Sequence, residues 1–184
     1  MAKQKKIDLP VHQVRQVLEP GPVVIVSSFH QGKRNLMTMG WHTVMEFSPS
    51  LVGCMISGAN HSHQLIRDSG ECVLNVPDFS LLDTVVGIGN ISGIRVDKFE
   101  RFGLTPGRAD IVKAPLVREC FAHMECRLHD DTMVDSYNFF IFEVVKAHII
   151  SDALPPTVHY KGEGQFMISG ATVDKSSLFR KDML

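Results

Sequence analysis

The chain of 184 residues is 44% hydrophobic and 21% charged, with a formal net charge of −1, a size that suits one domain with a real core. Acids and bases are interleaved, which offers no basic face to nucleic acid or an anionic membrane. No stretch approaches the roughly 20 apolar residues of a membrane span, and the basic start Lys3-Gln4-Lys5-Lys6 leads into Ile7-Asp8-Leu9-Pro10, not the apolar run of a signal peptide. The expectation is a soluble, cytoplasmic single domain over residues 1–184, with its core at about 20–171, an exposed C-terminal tail, and no nucleic-acid or membrane partner.

In chain order, residues 9–19 form a short amphipathic segment that predicts a helix, stopped by Pro20-Gly21-Pro22. The β-branched run Val23-Val24-Ile25-Val26 predicts a buried strand. His30-Gln31-Gly32-Lys33-Arg34 reads as a hairpin turn, with a return over residues 35–47. Ser48-Pro49-Ser50 turns the chain into a third strand at 51–57. Residues 60–70 fit two turns of helix, capped by Asn60 or Ser62 and ended by Gly70. A strand at 71–76, a helix at 79–89 and a short helical turn at 97–102 follow. The second half is again β, at 122–129 and 138–150, and a glycine-rich turn near Gly162 and Gly164 brings in the last strand. Many strands with short turns and few helices predict a mainly β fold, a β-barrel with short helices.

Several chemistries lack their motifs. There is no phosphate-binding Gly-x-x-x-x-Gly-Lys-Ser/Thr loop. Gly87-x-Gly89 with Gly93 has the wrong spacing for a dinucleotide fingerprint and follows a helix-like segment, so it reads as a helix end and loop. His61-x-His63 and Cys126-x-x-His129 are not joined by a second matching pair, which supports zinc poorly. The cysteines at 54, 72, 120 and 126 form no Cys-x-x-Cys pair and read as reduced, mostly buried apolar residues. No Gly-x-Ser-x-Gly elbow supports hydrolysis.

Three stretches carry more. Asn35-Leu36-Met37-Thr38-Met39-Gly40-Trp41 puts small, polar and soft residues where a core strand favours Val and Ile. Gly40 admits a close neighbour, and Trp41 offers a broad aromatic face to a planar ring, although a core tryptophan beside gap-filling methionines fits the same pattern. Asn60-His61-Ser62-His63 at a helix start favours a phosphate, or is an ordinary cap. Arg95-Val96-Asp97-Lys98-Phe99 could neutralise that phosphate, or be a solvated charged turn.

In order, these stretches resemble the flavin reductase-like family of FMN-binding split barrels, and within it the flavoredoxin branch. The likeness rests on residues 35–41, on Phe47-Ser48-Pro49-Ser50-Leu51-Val52, on the run from Ser62-His63-Gln64-Leu65-Ile66-Arg67-Asp68 to Asn75-Val76-Pro77, and on Asp97-Lys98-Phe99. It covers roughly residues 20–171. It implies a six-stranded, Greek-key-like barrel acting as a homodimer, with FMN near the subunit interface. By position, Asn35, Met37, Thr38, Met39 and Trp41 would line the isoalloxazine ring. Ser57, Ser62 and His63 would lie by the ribityl chain or phosphate, and Lys98 would contact the flavin or its phosphate. Tyr137 or Asn138, with Phe166, would complete the pocket from the other subunit.

The resemblance implies an NAD(P)H-dependent flavin reductase, with NADH or NADPH as electron donor and no proton-transferring catalytic residue, since the flavin performs the redox step. The alternative is an electron carrier of the flavoredoxin kind, served by a redox protein partner without direct NAD(P)H oxidation. Trp41 stands where many reductases of the family have a small residue, and it could cover the face on which a nicotinamide stacks.

Overall fold

The structure, a computed structural model, describes residues 21–150, 154–178 and 180; the helix expected at 9–19 lies outside them. Strands β1 (Val24–His30) and β2 (Lys33–Met39) form a hairpin whose turn uses Gln31 and Gly32, both at positive φ, the left-handed geometry that a two-residue hairpin loop requires. After Gly40 and Trp41 the chain continues as β3 (His42–Phe47), then β4 (Ser50–Met55), helix α1 (His61–Ser69) and β5 (Glu71–Val76). A 3-10 turn at Phe79–Leu81 leads into α2 (Leu82–Gly89), and α3 (Lys98–Arg101) follows. The two-residue strands β6 (Pro106–Gly107) and β7 (Leu116–Val117) pair with each other. Strand β8 (Ala122–Asp130), helix α4 (Val134–Tyr137) and strand β9 (Phe139–Ile149) come next, and the hairpin β10 (Val158–Gly162) and β11 (Gln165–Ile168) is last. Residues 171–178 are exposed.

Among the described residues the main sheet has seven strands, in the order β2-β1-β5-β8-β9-β4-β3. The family resemblance implies six, and residues 35–47 read as one return strand. They divide at Gly40-Trp41, the first part pairing with β1 and the second with β4. This division has a geometric consequence. Seven strands laid flat would hold their edges about 29 Å apart, whereas the link from Met39 to His42 spans at most about 11 Å. The sheet therefore curls until its two edges come together at this corner. His42 Nε2 meets the Pro22 carbonyl at 2.7 Å, and the Met55 amide donates to the Trp41 carbonyl at 3.0 Å, which fixes both sides of the corner.

Alternation along the strands then sorts the side chains. Val24, Val26, Met37, Met39, Cys54, Cys72, Leu74, Cys126, Phe140 and Phe142 point into one core, which Ile66 of α1 closes. On the opposite face of the same strands Val23, Ile25 and Leu36 pack beneath Val85 and Ile88 of α2 and Phe99 of α3. Strand β1 is thus buried on both sides, which accounts for its unbroken aliphatic run. All four cysteines are buried and unpaired, and burial raises the pKa of the Cys54 thiol. No helix among the described residues is long and apolar enough to cross a membrane.

The loop between β6 and β7 is held by a buried carboxylate. Glu125 of β8 accepts the backbone amides of Asp110, Ile111 and Val112 at 2.9, 2.6 and 3.1 Å, and meets His148 Nε2 at 2.9 Å. Asp110, Glu125 and His148 bring ligand atoms within 4.8 Å of one another, but both Glu125 oxygens are already committed to amide donors, so the group acts as a loop clamp. Burial opposes the charge, yet the amides and His148 outweigh it and hold the Glu125 pKa down at about 2. A carboxylate depressed in the fold stabilises fully above its unfolded pKa and loses that contribution as pH falls through the folded value. Chemical unfolding should therefore show wild type exceeding Glu125→Gln by about 3 kcal/mol near pH 7, with the gap closing between pH 4.5 and about 2. A pH-independent gap would rule out a charged clamp.

Candidate functional site

The corner that closes the sheet also opens a cleft. Thr38 on β2 donates from Oγ1 to the Val85 carbonyl at 2.6 Å, which ties β2 to α2 beside it. A Cβ at Gly87 would come 2.5 Å from the Phe102 ring, so the helix seats closely only with glycine there. The β10–β11 hairpin joins from the other side through the Val23 amide and Val158 carbonyl, 2.8 Å apart. Its Tyr160 and Phe166 rings lie 5.1 Å apart.

Between these elements is a cavity of about 840 Å³, lined by Met37, Thr38, Met39, Gly40 and Trp41 on one side and Val85, Val86, Gly89 and Asn90 on another. Met55, Ser57, Asn60 and Asn138 close a third side, and Val23, Tyr160, Gly164 and Phe166 a fourth. Its walls are largely apolar, as suits a planar ring. A smaller recess of about 270 Å³ shares Met37, Thr38, Ser57, Asn60, Gly89 and Asn90 with it. That recess adds Ala59, His61, Ser92, Gly93 and Lys98 and is polar. The two form one cleft with an apolar wide end and a polar narrow end.

Lys98 sets the electrostatics of the narrow end. Asp97 caps α3 by accepting the Phe99 and Glu100 amides, while Arg34 pairs with Asp97 at 2.7 Å and lies 5.0 Å over the Phe99 ring. These contacts fix the start of α3 and turn Lys98 inward. Its Nζ donates to the Leu36 and Ile88 carbonyls, each at 2.8 Å, and the side chain is only 4% exposed. Among the described residues no carboxylate pairs with it, and burial lowers its pKa to about 8. A buried ammonium without a counter-ion is costly, and an anionic group in the recess would supply the missing charge.

The start of α1 faces the same recess. Asn60 and His61 line it, and Asn60 makes no side-chain capping bond, so the positive end of the helix favours an anion there. Burial, with Lys33 and Lys98 nearby, lowers the His61 pKa. Behind the wall, Asn35 Nδ2 donates to Ser62 Oγ at 2.9 Å, and Asn35 Oδ1 has no partner. A Cβ at Gly93 would fall 1.9 Å from that oxygen, so glycine alone lets the 90–97 loop lie over Asn35. His63 packs edge-on against Phe140 at 5.1 Å, with its buried Nε2 unpartnered.

The cleft brings together Met37, Thr38, Met39, Trp41, Ser57, Asn138 and Phe166 at its wide end, and Lys98 at its narrow end. Asn35, Ser62 and His63 are buried behind the wall, within the framework that shapes it. Tyr137 is exposed beside Asn138 and outside the lining of this cleft. Asn138 takes a left-handed conformation at the end of α4, and its Oδ1 accepts the Gly58 amide at 3.1 Å. Sequence reasoning missed the wall from α2, namely Val85, Val86 and Asn90, and it missed Tyr160. The cluster of Gly87, Gly89 and Gly93 was the available signal, since two of the three mark close approaches to other side chains.

Residues 17–167 match the family model described as the flavin reductase like domain. A protein of Archaeoglobus fulgidus is 35% identical over 133 residues, 70% of this chain and 74% of that protein. Among solved structures, an FMN-binding domain of a flavin reductase-like enzyme from Shewanella baltica has a TM-score of 0.76 at 25% identity, covering 90% of this chain and 95% of that one. Flavoredoxin of Desulfovibrio vulgaris has a TM-score of 0.77 at 20% identity, covering 96% of each chain, a likeness of fold.

The isolated charge of Lys98 has a measurable sign. Its folded pKa lies below the unfolded value of 10.5, so the unfolded chain holds more protons between the two and stability rises with pH there. The unfolding free energy of wild type relative to Lys98→Met should rise by about 3 kcal/mol between pH 8 and pH 10.5 in ligand-free protein. A difference that stays flat over this window would show that Lys98 is not an uncompensated buried cation.

Proposed function

The chain belongs to the flavin reductase-like family, and from that premise we propose that it is an oxidoreductase that holds FMN in the cleft and takes electrons from NADH or NADPH. One observation carries this reading: an apolar cavity wide enough for a tricyclic ring runs directly into a polar recess holding a buried lysine with no carboxylate partner. A flavin phosphate has that division of chemistry, with a flat, largely apolar ring at one end and a dianion at the other.

In this reading the β2 segment from Met37 to Trp41, with Val85 and Val86 of α2, would hold the isoalloxazine. Ser57 and Asn60 would hold the ribityl chain, and the start of α1 with Lys98 would hold the phosphate. FMN supplies the chemistry, accepting two electrons and passing them on. The protein's own work is to exclude water from the ring with apolar walls, to orient it, and to place positive charge at the polar end. Lys98, held by the Leu36 and Ile88 carbonyls, has one further N–H for the ligand. Trp41 is half exposed at the mouth and can cover the outer ring face.

That position of Trp41 favours a second reading, an electron carrier of the flavoredoxin kind reduced by a protein partner. Anaerobic stopped-flow mixing of the FMN-loaded protein with NADH and NADPH separates the two. Bleaching of the flavin spectrum within seconds is the expected result. Flavin that stays oxidised with both nucleotides, yet is reduced by a ferredoxin-type donor, would replace the reductase with the carrier.

The exposed edge of the sheet supports a homodimer. Among the described residues strand β3 has a single neighbour, β4, and it leaves Val44 69% and Phe47 89% exposed, with Met45 and Trp41 also open. An apolar edge of this kind is a liability unless covered, and a second copy covering it would also shelter the Trp41 side of the cleft. Sedimentation velocity should give a dimer that Val44→Glu/Phe47→Glu weakens toward monomer. A wild-type monomer at micromolar concentration would remove the second subunit from the reading.

A further inference from the structure

Strand β4 ends at Met55, paired with Phe139 of β9, yet the contact between the two chain segments continues past that end. The Asn138 carbonyl accepts the Ile56 amide at 2.9 Å, and Asn138 Oδ1 accepts the Gly58 amide at 3.1 Å. The side chain thus adds one rung to the ladder where backbone pairing has stopped. Asn138 has φ 55°, a left-handed conformation that asparagine and glycine tolerate and most other residues resist. Helix α4 fixes it from behind: Val134 is buried in the core, and its carbonyl accepts the Asn138 amide at 2.8 Å. Asp135 of the same helix pairs with Arg67 of α1 at 2.7 Å, which ties this brace to the helix that follows the loop.

The loop that receives these bonds runs from Ile56 to Asn60. Ser57 Oγ accepts the Ala59 amide at 3.3 Å, and the Ser57 carbonyl accepts the Asn60 amide at 2.9 Å, which folds the loop into the start of α1. Residues 57–59 are exposed, so burial does little to hold them and the hydrogen bonds carry the loop. Ser57 and Asn60 line both the wide end and the narrow end of the cleft. The position of this loop therefore helps to set how far apart the two ends lie.

Resting on the FMN reading of the cleft, we infer that Asn138 is a positioning residue that fixes the spacing between the ring site and the phosphate site, acting through the Gly58 amide and not on the ligand. A ligand held at both ends gains from its second contact only where the two sites are spaced to match it. A ligand that occupies one end alone has no such requirement. Asn138 thereby favours a ring and a phosphate joined by a chain of one length.

Two variants of the full chain test this. Asn138→Gly keeps the left-handed backbone and deletes the acceptor, whereas Asn138→Asp keeps both. Without ligand, hydrogen exchange over residues 56–60 should be faster in Asn138→Gly than in wild type or Asn138→Asp. Exchange that Asn138→Gly leaves unchanged would remove the brace. Calorimetric titrations then compare FMN with lumiflavin, an isoalloxazine ring without the ribityl phosphate. Asn138→Gly should weaken FMN binding by about fivefold and leave lumiflavin binding unchanged, and Asn138→Asp should restore FMN binding. Equal losses for both ligands, or Asn138→Asp as weak as Asn138→Gly, would make Asn138 a direct contact and overturn the positioning role. Wild type that bound neither FMN nor lumiflavin would instead defeat the FMN reading and the spacing role with it, while the exchange result would still report on the brace.

Discussion

Two residues, Gly40 and Trp41, connect the opposite edges of a seven-stranded sheet, and much of the molecule is arranged around that short link. It forces the sheet to curl, which gives the strands an inside and an outside and sorts the apolar side chains into two cores. It also leaves a seam, where the strand that ends at Met39 and the one that begins at His42 diverge. The cleft lies along this seam, with α2, the start of α1 and the last hairpin as its other walls. The element that closes the barrel and the element that forms one wall of the candidate site are the same stretch of chain.

The seam carries the polar groups that the cores exclude. Two ionisable side chains near full burial show two ways of handling charge. Glu125 is surrounded by donors, and its charge is stabilised below the ordinary carboxylate range. Lys98 has two carbonyl partners and no counter-ion, and burial destabilises its charge. The first is a finished structural device, complete within the chain. The second is incomplete without something from outside, which is why Lys98 and not Glu125 points to a ligand.

The strands and helices of the core were legible because they are determined locally. The run from Val23 to Val26 is apolar and β-branched, and Gly70 adopts the left-handed conformation that ends α1. The break at Gly40-Trp41 was not legible, because it depends on where the two hairpins sit in the sheet, β1 beside β5 and β4 beside β9, contacts between strands far apart in sequence. Lys98 was visible as a basic residue beside a turn, but its burial depends on Arg34 holding Asp97 from another element. Asn35 was read as a lining residue, and the structure places it one layer back, bonded to Ser62 beneath Gly93. The α2 wall was read as part of a helix at 79–89, with no indication of what it would face. Family likeness supplied the flavin, while the division of the cleft into apolar and polar ends needed three dimensions.

The central claim is that the polar end holds the phosphate of a flavin through the charge of Lys98. Calorimetric titration of the protein with FMN and with riboflavin, which differ only in that phosphate, tests it most directly. The account predicts one FMN bound per chain, with riboflavin at least about tenfold weaker. Equal affinities for the two, or no binding of either, would contradict it.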